Sequence, residues 1–468
     1  MIYCILQLRK KGVTFFMENH EIIAELMKNA RRAQGKIEKY DQKQIDALVK
    51  AMAKTVFDNA EELAKMAVDE TRMGSYEDKV AKNKGKARII WNSLKDKKSV
   101  GILRYIEEEG IVEIAKPMGV VGAVTPCTNP VVTPMCNAMF ALKGGNAIII
   151  APHPRGKKVA RHLKELYDIE FAKAGAPEDI FQVIAEPTND LTNELMKSAD
   201  VVIATGGMSM VKAAYSSGRP SYGVGAGNVQ CIIDRDVDFA DAVKKIIAGR
   251  IFDNGIICSA EQSAIINKDD YAAVIGEFVK NGAYYAESEA ETARLREALF
   301  PNGTTNKELV GQPAAKTAEA ANIRIPENTK LIVVKAQAGD ELLGREKMCP
   351  VIAAYTYESW EEAIRIACAN LEIEGKGHSC AIHSNNPGHI EYAGLNLPVC
   401  RVIVNQICAT MNGGSFFNGL TPTTTLGCGS WGNNSISENL SYTHLFNKVR
   451  IAYTKPGAKL PDDSEIWD

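Results

Sequence analysis

Short, wholly apolar runs that alternate with amphipathic stretches constrain this chain more than any other feature. Val120-Val121-Gly122-Ala123-Val124 has no polar position, and the same holds for residues 147–151 and 201–204. Residues 181–184 read as a further strand, while 137–143, 157–174 and 189–198 carry apolar residues at helical spacing. Strands without a polar face, separated by helices, build parallel sheets covered on both sides, and such sheets bind ligands at their strand ends. A second series follows. Helices are expected over 239–250, 271–281, 360–370 and 388–395, with strands over 263–267, 330–334, 351–355, 380–383 and 401–405. The class is α/β with two such sheets.

Four helical patterns precede the first series, at 21–32, 41–56, 59–71 and 76–91. The last carries Lys79, Lys82 and Lys86 at i, i+3 and i+7, a basic face that is either solvated or turned to an anionic substrate. Residues 101–116 read as a hairpin around the acidic turn Glu107-Glu108-Glu109-Gly110, an edge ribbon open to completion by another subunit. From 410 to 439 the chain is rich in Gly, Asn, Thr and Ser, the composition of a long loop bordering a site.

A chain of 468 residues has room for two or three domains, and a net charge of −2 gathers neither nucleic acid nor anionic membrane. No apolar run approaches the roughly 18 residues of a membrane span. The eleven cysteines are odd in number, scattered and never spaced C-x-x-C, which argues for a reducing compartment, the cytoplasm, over a disulfide framework or zinc ribbon. Residues 1–16 place a short apolar start before Arg9-Lys10-Lys11, the reverse of a signal peptide; the expectation is a disordered tail or an extended start ahead of Met17.

Chemistry centres on Cys258, in Asn254-Gly255-Ile256-Ile257-Cys258-Ser259-Ala260-Glu261-Gln262-Ser263. Asn254-Gly255 opens a tight junction just before a strand, where a thiol can be held at a cleft rim. The thiolate is the reacting species in covalent catalysis, whereas most cysteines are small buried hydrophobes.

Further motifs share the chain in a fixed order: Thr125-Pro126-Cys127-Thr128-Asn129-Pro130, Ala151-Pro152-His153-Pro154, Ala204-Thr205-Gly206-Gly207, the Cys258 stretch, and Glu346-Lys347-Met348-Cys349-Pro350. On these the chain resembles the aldehyde dehydrogenase superfamily over nearly its whole length, and more narrowly its coenzyme A-acylating branch. Tyr76-Glu77-Asp78-Lys79-Val80-Ala81-Lys82, Tyr215-Ser216-Ser217-Gly218-Arg219-Pro220 and Leu426-Gly427-Cys428-Gly429-Ser430-Trp431-Gly432 resemble the branch acting on succinate semialdehyde, with sulfoacetaldehyde or acetaldehyde as alternatives.

The resemblance implies two Rossmann-like parallel-sheet domains and a small β oligomerisation element. The division would be a cofactor-binding unit at 17–236 that includes hairpin 101–116, a catalytic unit at 237–430, and a segment 431–468 returning to the first unit and to a homodimer or homotetramer interface. It implies Cys258 as nucleophile, Asn129 as oxyanion donor, and His378 as a base for coenzyme A or a holder of the thiolate. Nicotinamide dinucleotide would lie against Thr125, Pro126, His153, Arg155, Thr205, Gly206, Gly207, Gly225 and Glu346. Lys86, Thr128, Ser259 and Thr423 are the candidates for a small anionic aldehyde.

Hydrolytic relatives carry a glutamate that activates water. Here Gly223-Val224-Gly225-Ala226-Gly227-Asn228 stands in that segment, with Gly223 at the acid's place, so coenzyme A is the expected acyl acceptor; Glu261 is the nearest acid that would serve instead. Ala151-Pro152-His153-Pro154-Arg155, followed by Lys157 and Lys158, replaces the Lys-Pro-x-Glu of NAD-preferring relatives and leans toward NADP. No metal is expected, because His378, His383 and His389 fall on a turn, a strand and a helix. Gly427-Cys428-Gly429-Ser430-Trp431-Gly432 spells a dinucleotide fingerprint but follows no buried strand, leaving it a substrate or coenzyme A loop. A cysteine hydrolase or acyltransferase built on Cys258 and His378 is the rival from another class, and it leaves Thr205-Gly206-Gly207 and Glu346 without purpose.

Overall fold

The structure, a computed structural model, describes residues 18–468. The expectation for residues 1–16 lies outside the described residues. Helices α1 (Asn19–Ile37), α2 (Gln42–Asp58), α3 (Ala60–Thr71) and α4 (Tyr76–Leu94) come first. Asp41 caps α2 through the Gln44 N–H and Ser75 caps α4 through the Asp78 N–H, which fixes where each begins.

Strands β1 (Gly101–Ile106) and β2 (Ile111–Pro117) form the expected hairpin. Next come β3 (Val120–Thr125), α5 (Val132–Lys143), β4 (Ala147–Pro152), α6 (Lys157–Lys173), β5 (Phe181–Val183), α7 (Asn189–Ser198), β6 (Val201–Thr205), α8 (Met208–Tyr215) and β7 (Ser221–Val224). Their parallel sheet has the order β5-β4-β3-β6-β7, with apolar clusters on both faces. Helix α5 starts five residues before the pattern suggested. Pro134 does not stop it, because a first-turn position has no intrahelical N–H bond to lose.

Only residues 225–228 join β7 to β8 (Val229–Ile233). In that short connection the chain leaves the first sheet for the second. The second contains α9 (Phe239–Ile251), β9 (Glu261–Asn267), α10 (Tyr271–Lys280), β10 (Ala283–Ala286), α11 (Glu289–Leu299), α12 (Ala314–Ala320), β11 (Leu331–Lys335), β12 (Val351–Tyr357), α13 (Trp360–Ile373), β13 (Cys380–His383), α14 (Pro387–Asn396) and β14 (Val402–Val404). Its order is β10-β11-β12-β9-β8-β13-β14, all parallel. Strand β8 thus precedes the expected division at residue 237 yet pairs in the middle of the second sheet. The sequence pattern also passed over β10, α11 and α12. Helix α11 is rich in charge and alanine and buries only Thr292, Leu295 and Leu299, too thin a stripe to read from spacing.

Short α15 (Cys408–Met411) leads into a long loop, then β15 (Phe446–Ala452) and α16 (Asp463–Trp467). Strand β15 pairs antiparallel with β2, from Phe446 opposite Pro117 to Ala452 opposite Ile111. On the β2 side the ribbon gains this chain's own C-terminal strand, and β1 and β15 form the two edges of the resulting sheet. A partner 329 residues further along the sequence is invisible to local patterning. Among the described residues no helix is long and apolar enough to cross a membrane.

Candidate active site

After α9 the chain makes a left-handed turn, with φ of 51° at Asp253, 52° at Asn254 and 73° at Gly255. Three successive left-handed residues reverse the backbone sharply and set Cys258 at the mouth of β9. Asp253 anchors the turn. Its carboxylate is fully buried, accepts the Ser75 N–H at 3.0 Å, and pairs with Lys79 at 3.1 Å and with Lys82. Burial alone would raise the Asp253 pKa, but Lys82 and Lys79 hold it below the usual carboxylate range. Burial, with Lys82 beside it, lowers Lys79 to about 8.

Lys82 also donates to Asn129 Oδ1 at 2.5 Å. A lysine has no acceptor, so this contact assigns the amide: Oδ1 is engaged and Nδ2 is the end left to donate. Asn129 and Cys258 both line one cavity of about 350 Å³, together with Lys86, Ser259, Phe416 and Phe417. The two phenylalanines are exposed at its rim.

Lys86 differs from its two neighbours on α4. Its ammonium donates to the Gly413 carbonyl at 3.1 Å and the Thr423 carbonyl at 3.2 Å, and no carboxylate among the described residues pairs with it. Part of the side chain faces the cavity, but loss of bulk water around the ammonium brings its pKa to about 8.

Cys258 opens to the cavity and packs against an apolar cluster of Val224, Leu426 and Cys428. In the segment where hydrolytic relatives place their acid, the side chain meeting this wall is Val224. A Cβ on Gly223 would lie 2.6 Å from Val211 and 2.8 Å from Tyr215, so that position has no room for a carboxylate. Two residues beyond Gly225, a Cβ on Gly227 would lie 1.9 Å from the Cys258 carbonyl oxygen, and only glycine lets the two backbones pass. Burial, then the charges of Glu346 and Cys428, push the Cys258 thiol up to about 12, while Arg401 opposes them.

Glu261 points elsewhere. Its carboxyl accepts the Cys408 N–H at 2.7 Å within the core, and burial raises it to about 8. Glu346 is buried as well, raised to about 8 by burial and then by Glu374, whose carboxylate accepts the Glu346 N–H at 2.9 Å. At neutral pH neither acid is predominantly a base.

His378 is fully buried, and neither ring nitrogen has a hydrogen-bond partner. Burial, then Arg401, lowers it to about 3, so the imidazole is neutral. No hydrogen bond joins it to Cys258. A Cβ at Gly377 would lie 2.0 Å from the Cys428 carbonyl, which brings the histidine's turn against the wall behind the thiol. His389 goes elsewhere, paired with Asp234 at 2.7 Å and stacked on Trp360.

The expected cofactor residues collect at C-terminal strand ends. Thr125 closes β3 with a buried Oγ1 that has no partner, and Thr205 closes β6. Beyond it, a Cβ on Gly207 would meet no atom within 4 Å, an open backbone for a ligand. His153 accepts the Arg155 N–H at 3.1 Å after β4, and Arg155 is exposed. Gly225 lines a second cavity with Met208, Glu374, Cys428 and Trp431. An orphaned hydroxyl and an open glycine pair beside parallel strand ends fit a dinucleotide.

Two of the substrate candidates take other parts than expected. Thr128 does not line the thiol cavity, and Thr423 turns its buried hydroxyl to Thr425, offering Lys86 its carbonyl instead. Ser259 lines the cavity with its hydroxyl donated to the Ala409 carbonyl at 3.0 Å. Sequence reasoning saw the basic face but missed that Lys82 fixes Asn129, and it missed Asp253, whose only signal was an acid ahead of Asn254-Gly255.

A thiol at a strand mouth, an amide with its donor end free across the same cavity and a parallel sheet with open strand ends beside it are brought together here. The aldehyde dehydrogenase family model matches residues 10–287. The succinate-semialdehyde dehydrogenase (acetylating) of Clostridium kluyveri is 55% identical over 96% of this chain and 100% of its own length. A sulfoacetaldehyde dehydrogenase of an Acholeplasma species is 41% identical over 95% of this chain and 93% of its own. The crystal structure of an acetylating aldehyde dehydrogenase from Geobacillus thermoglucosidasius superposes with a TM-score of 0.91, at 38% identity, covering 95% of this chain and 98% of that one. The chain belongs to the aldehyde dehydrogenase family, oxidoreductases that act on aldehydes.

Proposed function

We propose that this enzyme interconverts succinate semialdehyde, coenzyme A and NAD(P)⁺ with succinyl-CoA and NAD(P)H. The observation that carries the substrate choice is Lys86, an ammonium in the thiol's own cavity with only carbonyls for partners. A carboxylate at the far end of the aldehyde would supply the missing counter-charge. A sulfonate would do the same, and the Acholeplasma relative makes sulfoacetaldehyde the second reading.

Cys258, once deprotonated, attacks the aldehyde carbon. Asn129 Nδ2 and the Cys258 N–H are the donors assigned here to the resulting oxyanion, each typically worth about 3–4 kcal/mol. Bound NAD(P)⁺ supplies the acceptor for the hydride this carbon gives up. Thr125, the Thr205-Gly206-Gly207 stretch, Gly225 and Glu346 are the residues that would hold it. The acyl group is then a thioester on Cys258, faced by Val224 and Leu426 rather than a base able to activate water. A coenzyme A thiol needs less activation than water, and neutral His378 is the candidate to take its proton.

NADP is favoured by Arg155 and Lys158, both exposed beside β4. The N terminus of α6 is already occupied, because Glu70 accepts the Lys158 and Val159 N–H groups at 2.8 and 2.9 Å. A 2′-phosphate would therefore be read by side chains, not by the helix end. Ile102, Tyr105, Val449 and Ile451 leave an apolar surface on the three-stranded sheet, which supports a homodimer or homotetramer. Cysteines that stay unpaired among the described residues suit the cytoplasm.

The test mixes enzyme, NADP⁺ or NAD⁺ and a panel of aldehydes with and without coenzyme A, following nicotinamide absorbance. Reduction that requires coenzyme A, fastest with succinate semialdehyde, is the expected result. Equal rates without coenzyme A would make the enzyme hydrolytic, and a preference for acetaldehyde would remove Lys86 from recognition.

A further inference from the structure

Arg401, which leads into β14, is 5% exposed and uses all five N–H groups on neutral oxygens. Nε donates to Ser379 Oγ at 3.3 Å, Nη1 to the Ser437 carbonyl and Asn439 Oδ1, both at 3.3 Å, and Nη2 to the His378 and Gly427 carbonyls, both at 2.7 Å. None of its partners carries a negative charge, and among the described residues no carboxylate forms an ion pair with it. A guanidinium taken from water normally meets an anion, since the desolvation cost is otherwise uncompensated. The first acid after Arg401 along the chain, Glu438, is engaged with His444 at 3.0 Å. The titratable groups that face Arg401 are four thiols, Cys428, Cys400, Cys258 and Cys408, and the neutral imidazole of His378.

We infer that Arg401 is a positioning residue whose uncompensated charge favours the Cys258 thiolate, and whose bonds hold His378 and the Leu426-Gly427-Cys428 wall against that thiol. The inference rests on the reading of Cys258 as nucleophile and not on the choice of aldehyde. Geometry supports both halves. The Gly427 carbonyl that Arg401 grips lies between two residues of the apolar cluster that packs on Cys258, and the His378 carbonyl is its other close partner. Burial, Glu346 and Cys428 disfavour the thiolate, and Arg401 is the cation set against them. A fixed positive charge in a site of low polarity acts strongly at short range, and it needs no rearrangement when the anion forms.

The experiment reads the thiol directly, by the pH dependence of Cys258 alkylation with iodoacetamide in the enzyme without aldehyde. Arg401→Gln removes the charge, and the midpoint rises by about one pH unit, a roughly tenfold slower alkylation at fixed pH. Arg401→Lys keeps the charge and loses most of the bonds, so its midpoint stays within a few tenths of the unchanged enzyme although turnover falls. Asn439→Asp places a counter-ion on the guanidinium with little change of shape, and its midpoint rises as in Arg401→Gln. This last variant keeps the proposal testable even where Arg401→Gln does not fold. An unmoved midpoint in Asn439→Asp, or an Arg401→Lys midpoint as high as that of Arg401→Gln, overturns it. A failed aldehyde panel with these shifts intact would instead sink the proposed substrate alone.

Discussion

One helix, α4, presents the same residue type three times, and the two ends of that face do different work. At its N-terminal end Lys79 and Lys82 close on Asp253, which ties the helix to the turn ahead of Cys258 and lets Lys82 orient Asn129. At the other end Lys86 reaches into the thiol cavity with carbonyls alone. The difference is compensation. A cation with a buried carboxylate beside it is architecture; a cation left with neutral acceptors keeps its charge available to a ligand.

Both ends are read here as serving one sulfur, so the largest effect tests that premise. Cys258→Ser should lower thioester formation by about 10³-fold or more, measured as coenzyme A-dependent nicotinamide reduction. Near-unchanged turnover would leave the helix with nothing to serve. Next comes the compensated end. Asp253→Asn strands two buried ammonium groups and should cost about 3–5 kcal/mol in denaturant unfolding. A loss of only a few tenths would mean the cluster is not holding the turn.

The uncompensated end should behave oppositely. Lys86→Met should leave Tm unchanged or raised, yet raise KM for succinate semialdehyde by about 100-fold while sparing acetaldehyde. Equal losses for both aldehydes would erase the distinction between the two ends. The same contrast has a pH signature. Lys86 is charged below its pKa of about 8 and neutral above it. The ratio of kcat/KM for the anionic aldehyde to that for acetaldehyde should therefore fall above pH 8, approaching tenfold per pH unit. The ratio cancels the thiol's own titration, which runs the other way, and a flat ratio would break the assignment. The smallest effect is expected from Thr423→Val, about twofold or less in KM, because this residue meets Lys86 through its carbonyl and not its hydroxyl.

Much of this was legible before any coordinates. The strands β3, β4 and β6 announce themselves as apolar runs, and the helices between them by their spacing. Cys258, Asn129, Thr205 and Glu346 stand out through the order of their motifs, and the lysine face through its periodicity. What escaped notice shares a cause. Asp253 lies 174 residues from Lys79, Arg401 lies 36 residues from Ser437, and β15 sits 329 residues after the strand it pairs with. No window of local sequence contains both partners of any of these contacts.

By itself the sequence determined the alternation of elements, the class of sheet, and which residue types were present to do chemistry, because those follow from local periodicity and side-chain identity. Only the tertiary structure decided which charges are cancelled and which are not. Compensation depends on distance and burial between segments far apart in the chain, and three lysines that look alike along one helix become two struts and one open cation when Asp253 folds against the first pair.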